Sequence, residues 1–141
     1  MRGELGGIDE VVGFHLRLAH GAVLRHFSEH FAELGLTQKQ VSVLWLTADN
    51  PGIAQTDLAV RLQMDRATTM AIVHAIEAKG LIERRPSATD RRRVAWFATD
   101  QGSAALARAK LAIGRHEDWL KSRFTEAELA ALLSFLKRIH G

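Results

Sequence analysis

The chain has no cysteine. Disulfide scaffolding, thiol-based redox sensing and cysteine-containing zinc sites are thereby excluded. It also lacks any run approaching the ~18 uncharged apolar residues that a membrane span requires, and its first residues carry no apolar signal core. The expected setting is a soluble protein of the cytoplasm with no membrane partner. Signatures of catalysis are missing as well. There is no phosphate-binding glycine loop, no nucleophile elbow, no Cys-His pair and no metalloprotease helix, so an enzyme is not expected. No internal repeat, low-complexity tract or interdomain linker interrupts the sequence. What remains is 141 residues, 47% of them apolar, enough for one domain with a real core, with or without an added helical subunit contact.

Net charge is only +3, from 19 Lys and Arg against 16 Asp and Glu, so overall balance says little about nucleic acid. Distribution says more. Five arginines and one acid fall between Arg84 and Arg93, whereas the helical patterns elsewhere mix the two signs. A local arginine cluster at a hairpin tip is what phosphate or minor-groove binding requires, although a solvated charged loop has the same composition.

The stretch from Gln55 to Thr99 packs two short helical patterns and this basic hairpin together. Thr56, followed by Asp57, is expected to open the first helix, about 55–62, and Asp65 the second, about 66–79. The connection Gln63-Met64-Asp65 is short enough to force a steep crossing, as in a helix-turn-helix. Gly80 ends the second helix. Leu81 to Arg85 reads as a strand, Pro86 to Asp90 as a turn and Arg91 to Ala98 as a returning strand, with Val94, Trp96 and Ala98 alternating inward.

The flanking segments read as helices. Residues 1–7 have little to bury and are expected to fray. From Ile8 to Phe31 the apolar positions Ile8, Val12, Leu16, Ala19, Val23, Phe27 and Phe31 recur every three or four residues. A second edge through Val11, Phe14 and Leu18 calls for cover from another subunit or from the C-terminal helices. Gly35 stops this helix, and Thr37 caps the next, whose inward face carries Val41, Leu44 and Trp45. Asn50-Pro51-Gly52 is a turn signal. Asp100 is expected to cap a helix reaching about residue 123, with Ala105, Ala109, Ala112, Trp119 and Leu120 inward. Thr125 and Glu128 form a capping box for a last helix that would bury Leu129, Leu132, Leu133, Leu136 and Ile139. The fold class is therefore mainly α with a small β-hairpin wing.

Four runs, QKQVSVLWL, LAVRLQMDRATT, IEAKGLIERRPSATDRR and ATDQG, carry a likeness that covers essentially the whole length. Through them the chain resembles the multiple antibiotic resistance regulator (MarR) family of bacterial transcription factors. The resemblance implies a winged helix-turn-helix over residues 37–99, with residues 8–34 and 100–141 as dimerisation helices. It further implies a homodimer on a pseudo-palindromic operator in double-stranded DNA, recognition helices in successive major grooves and wings in the flanking minor grooves. Such a protein needs no cofactor. It commonly represses, and a small effector, often an aromatic carboxylate or its thioester, releases it.

On this reading the exposed face of the recognition helix is Arg66, Ala67, Thr68, Met70, Ala71 and His74, while Thr69, Ile72, Val73 and Ile76 pack. Arg66 suits guanine, Thr68 a base or phosphate, and Ala67, Met70 or Ala71 a thymine methyl. Polar or basic residues are commoner in the family where this chain has Met70 and Ala71, and Met70 has a second reading as core filler. At the wing, Asp90 is placed to hold a neighbouring arginine, Arg91 and Arg92 extend from the tip, and Arg92 matches the family's minor-groove arginine. Arg84, Arg85 and Arg93 suit phosphates or wing packing. Ala98 is smaller than the leucine usual there.

For an effector, His15, Arg17, Arg115 and His116 are candidates to meet a carboxylate, and Phe14, Trp45 and Trp119 to wall its ring. The bland reading puts the tryptophans in the core and the charged groups in water or at a dimer contact. His26 and His30, four apart on one helix, have a spacing able to hold zinc but lack a third ligand, and a surface pair is the simpler reading. Two rival functions stand beside the regulator: a winged-helix protein-interaction module without DNA binding, and a zinc-responsive regulator.

Overall fold

Side-chain caps set most of the helix starts. In the computed structural model, which describes residues 2–141, a helical turn (Arg2–Leu5) and a 3-10 turn (Gly6–Glu10) lead into α1 (Val12–Phe31). There follow α2 (Gln38–Asp49), α3 (Gln55–Arg61), α4 (Arg66–Ala78), β1 (Ile82–Pro86), β2 (Val94–Ala98), α5 (Asp100–Lys121) and α6 (Glu126–His140). Among the described residues no helix is long and apolar enough to cross a membrane.

Thr37 and Gln40 exchange side chain and backbone in a capping box, both bonds 3.1 Å, and Thr125 and Glu128 do the same at α6. Asp65 accepts from the Thr68 N–H at 2.7 Å. Two expected caps moved. Ala54 precedes α3 with no side-chain cap, so Thr56 and Asp57 lie in the first turn, where the Asp57 charge still favours the helix dipole. At α5 the cap is Thr99 and not Asp100. The Thr99 hydroxyl accepts from Gly102 N–H at 3.0 Å and donates to the Gly80 carbonyl at 2.6 Å, a tertiary tie that Asp100 could not make.

The first helix also starts later than periodicity suggests. Val11 is extended (φ −87°, ψ 114°), which separates Val12–Phe31 from the preceding turn. Of the residues expected to fray, Met1 lies outside the described residues and Arg2–Leu5 is helical. A 3-10 turn (Ala32–Leu34) then reaches Gly35, which takes the left-handed conformation (φ 65°) that glycine adopts without strain.

β1 and β2 pair antiparallel, with Ile82 opposite Ala98, Arg84 opposite Trp96 and Pro86 opposite Val94. Arg91 to Arg93 belong to the turn, so the returning strand begins at Val94. The expected alternation along it also fails. Val94 is exposed, while neighbours Ala95 and Trp96 are both buried. On the edge away from β1 the Trp96 N–H donates to the Ile53 carbonyl at 3.0 Å. Val94, at the wing end of β2, projects past the core.

The main core joins Val43 and Leu44 of α2 to Leu58, Val73, Ile76 and Trp96. A second cluster, Phe27, Phe31, Val41, Ala109 and Ala112, fastens α1 and α5 to α2. α5 begins hard against the hairpin: a Cβ at Gly102 would stand 1.9 Å from the Leu81 carbonyl oxygen, an approach open only to glycine. The apolar face of α6 is not buried as expected. Leu129 and Leu132 are half-buried, and Leu133 (54%), Phe135 (53%) and Ile139 (63%) are exposed, with nothing among the described residues covering that face.

Candidate nucleic-acid interface and effector cavity

The turn between α3 and α4 closes through Gln63, which adopts a positive φ of 53°, and through the Met64 N–H bond to the Ala59 carbonyl at 3.0 Å. Asp65 fixes the start of α4. It takes the Thr68 N–H and, at 2.9 Å, the Thr68 hydroxyl, and these bonds hold its carboxyl below the usual range. The Thr68 hydroxyl is thus turned back onto the cap, which leaves Arg66, Ala67, Met70, Ala71 and His74 as the exposed stripe of α4. Met70 is 46% exposed, so it is not core filler.

Three of the five wing arginines have acidic partners. Arg84 makes two bonds to Glu77, 2.8 and 2.7 Å, and lies 5.2 Å from the centre of the Trp96 ring. Its guanidinium holds the Glu77 carboxyl below the ordinary range and is itself raised in return. Arg84 thus packs on the wing while its side chain stays about half exposed. Arg85 pairs with Glu83 and covers the Phe97 ring, and Arg93 stands 3.8 Å from Asp90. Asp90 also accepts the Arg92 backbone N–H at 3.0 Å, while the Ser87 N–H closes the turn onto the Arg93 carbonyl at 2.9 Å. Arg91 and Arg92 are exposed and have no acidic partner among the described residues. The tip therefore presents two free cations on a tied turn.

The candidate effector residues divide. Trp45 and His116 line one cavity of about 200 Å³ between α1, α2 and α5, together with Val23, Phe27, Gln38, Ser42 and Glu117. His116 is buried, 5% exposed, and its Nδ1 lies 2.6 Å from Nδ1 of His26. Burial first and then the His30 imidazole lower the pKa of His26, and burial first and then the His26 imidazole lower that of His116. His26 in turn stacks on Trp119 (4.2 Å) and on His30 (4.0 Å). Arg115 lines a different cavity, with His30, Glu33 and Arg108. Phe14, His15 and Arg17 are not brought to these cavities. Arg17 lies over the Phe14 ring, and His15 bonds the Asp9 carbonyl at 2.6 Å near the start of α1.

Sequence reasoning missed two features here. His26 was expected at the surface with His30, yet it sits beside Phe27 at the edge of the inward face. The spacing Ala105, Ala109, Ala112, His116 already placed the His116 side on the buried stripe. The second missed feature is a cleft of about 730 Å³ next to the first cavity, sharing Phe27 and Gln38 with it and carrying His20, Lys39 and Lys79. Among the described residues no three His, Asp or Glu side chains converge as a metal-binding set.

A sequence model of the MarR family matches residues 34–93. A candidate transcriptional regulatory protein for the hcr operon of Thauera aromatica is 37% identical over 136 residues, covering 96% of this chain and 82% of that protein. Among solved structures, the transcriptional repressor CouR bound to a 23-mer DNA duplex superposes with a TM-score of 0.92 at 38% identity, covering 97% of each chain. A CouR structure bound to p-coumaroyl-CoA gives 0.86 at 37% identity, over 95% of this chain and 94% of that one.

Proposed function

Because this chain belongs to the MarR family of transcriptional regulators, we propose that it binds a pseudo-palindromic operator in duplex DNA as a homodimer and represses until a small aromatic acid or its thioester releases it. The observation that carries DNA binding is the pair of free arginines, Arg91 and Arg92, on a wing whose other arginines are neutralised. They suit a narrow A·T-rich minor groove, where negative potential is concentrated. The stripe Arg66, Ala67, Met70, Ala71 and His74 suits the adjacent major groove: Arg66 reads guanine through two bonds, and the three small or apolar residues meet thymine methyls. Thr68 contributes by fixing the helix start.

Dimerisation supplies the spacing between two such surfaces. The apolar side chains left bare on α6 (Leu133, Phe135, Ile139) and early in α1 (Val12, Leu16) support residues 8–34 and 100–141 in that role, since exposed apolar patches of this kind mark association surfaces. Footprinting and gel shift on the DNA upstream of its own gene, at several salt concentrations and with p-coumaroyl-CoA or benzoate-type acids added, test the reading. A protected, two-fold related site with steep salt dependence and release by one of these compounds is expected. A protein-interaction module would bind no duplex in a salt-dependent way.

A further inference from the structure

Resting on the effector reading above, we propose that His116, positioned by His26, reads a phenolic hydroxyl, so that the effector is a hydroxyaryl acyl compound whose ring enters the Trp45 cavity and whose anionic end lies in the His20, Lys39 and Lys79 cleft.

The size and lining of the inner cavity fit a ring. Its volume is about 200 Å³, and an apolar cavity of roughly 150 Å³ is enough to hold benzene. Val23, Phe27, Val41, Trp45, Ile113 and Leu120 supply apolar walls. The polar groups select what the ring carries. Two imidazoles that meet through Nδ1 at 2.6 Å need one donor and one acceptor between them, so one nitrogen is protonated and the other bare. His116 Nε2 then has the complementary character: bare if His116 donates, protonated if His26 donates. Nδ1 is taken by His26, so Nε2 is the ring's remaining polar atom; it has no hydrogen-bond partner among the described residues, and His116 is one of the residues lining this cavity.

A hydroxyl both donates and accepts, so it satisfies Nε2 in either tautomeric arrangement. A carboxylate only accepts, and in this cavity it would also face Glu117 without a cation among the lining residues. The effector's negative charge therefore belongs elsewhere. The adjoining cleft carries His20, Lys39 and Lys79 and no acidic residue. Phe27 and Gln38 line both spaces, so a single ligand can span them, with Gln38 beside the acyl carbonyl. Both a free hydroxyaryl acid and its nucleotide thioester have this chemistry, and the thioester places its phosphates in the wide cleft.

Calorimetric titration of the intact protein with p-coumaroyl-CoA, with cinnamoyl-CoA, which lacks only the hydroxyl, and with free p-coumarate tests the assignment. The hydroxylated thioester is expected to bind about tenfold to a hundredfold more tightly than cinnamoyl-CoA, the range set by one buried polar group left without its partner. His116→Phe should erase that preference while cinnamoyl-CoA binding stays within about threefold. His26→Asn should reduce the preference without weakening cinnamoyl-CoA, a split that a merely structural role would not give. Lys39→Gln with Lys79→Gln should weaken both thioesters and keep the preference, and p-coumarate should be affected less. Equal binding of the two thioesters by the wild-type protein overturns the assignment without any variant, as does a preference that survives His116→Phe. Failure of all three compounds to bind, with duplex binding intact, overturns the effector reading itself and the assignment with it.

Discussion

Replacing Arg92 by alanine and, separately, Arg84 by alanine separates the free charges of the wing from the paired ones. Each phosphate charge neutralised by protein contributes about 0.9 to the slope of log affinity against log salt. A dimer carries two wings, so Arg92→Ala should lower the slope by roughly 1.8, and over a fourfold rise in salt that amounts to about a tenfold difference in affinity lost. The same substitution should leave the melting temperature unchanged, because the Arg92 side chain is exposed and has no acidic partner. Arg84→Ala should do the reverse. Its guanidinium is held by both oxygens of Glu77 and stacks on Trp96, so its loss should lower the melting temperature and leave the salt slope within error. Glu77→Gln, which releases Arg84, should steepen the slope. Fluorescence anisotropy on a labelled operator between about 50 and 200 mM salt, with thermal melts of the same variants, reads all of this. An Arg92→Ala slope equal to wild type, or a slope flattened by Arg84→Ala, would refute the division of the wing into free and paired arginines.

What could be read from the sequence was what is local. The caps at Thr37, Asp65 and Thr125 depend on groups three residues away, and all three form as expected. Where two adjacent residues could cap, as at Thr99 and Asp100, the choice fell to a carbonyl nineteen positions back, at Gly80, which no window rule sees. The Arg84 partner is seven residues away across a helix end and a strand, so a count of arginines overstates the free charge. Strand alternation failed at Val94, which stands past the edge of the core and is exposed, and at Ala95, which is buried beside Trp96. The apolar stripe of α6 was legible as a stripe, but among the described residues nothing covers Leu133, Phe135 and Ile139. The candidate effector residues were chosen by type, and only tertiary packing separates Trp45 and His116, which share a cavity, from Arg115, which lines another. The His26–His116 contact spans ninety positions, beyond any spacing argument.

Two further outcomes follow from the packing. Gly102→Ala would drive a Cβ to 1.9 Å from the Leu81 carbonyl oxygen; the conflict is with backbone on both sides, so a loss of about 1–3 kcal/mol or more, read by urea unfolding, is expected, and wild-type stability would show that α5 does not start against the hairpin as described. Stability should also depend on pH through His26 and His116, whose pKa values are lowered from 6.5 by burial first and by neighbouring histidines next. Glu29 and Glu117 oppose this shift, while Arg123 adds to it at His26. The unfolded chain, with ordinary imidazoles, then binds more protons than the folded one in the window from 6.5 down to the lowered values. Stability therefore rises with pH across that window: it is full above about 6.5, falls progressively below it, and levels off once the folded imidazoles are also charged. The melting temperature should drop between about pH 7.5 and pH 5.5, and the drop should shrink in His116→Phe, which removes one of the two groups. An equal drop in that variant would place the pH dependence in the carboxylates instead, since a histidine pair that stays neutral in the fold cannot lose a member without flattening the curve.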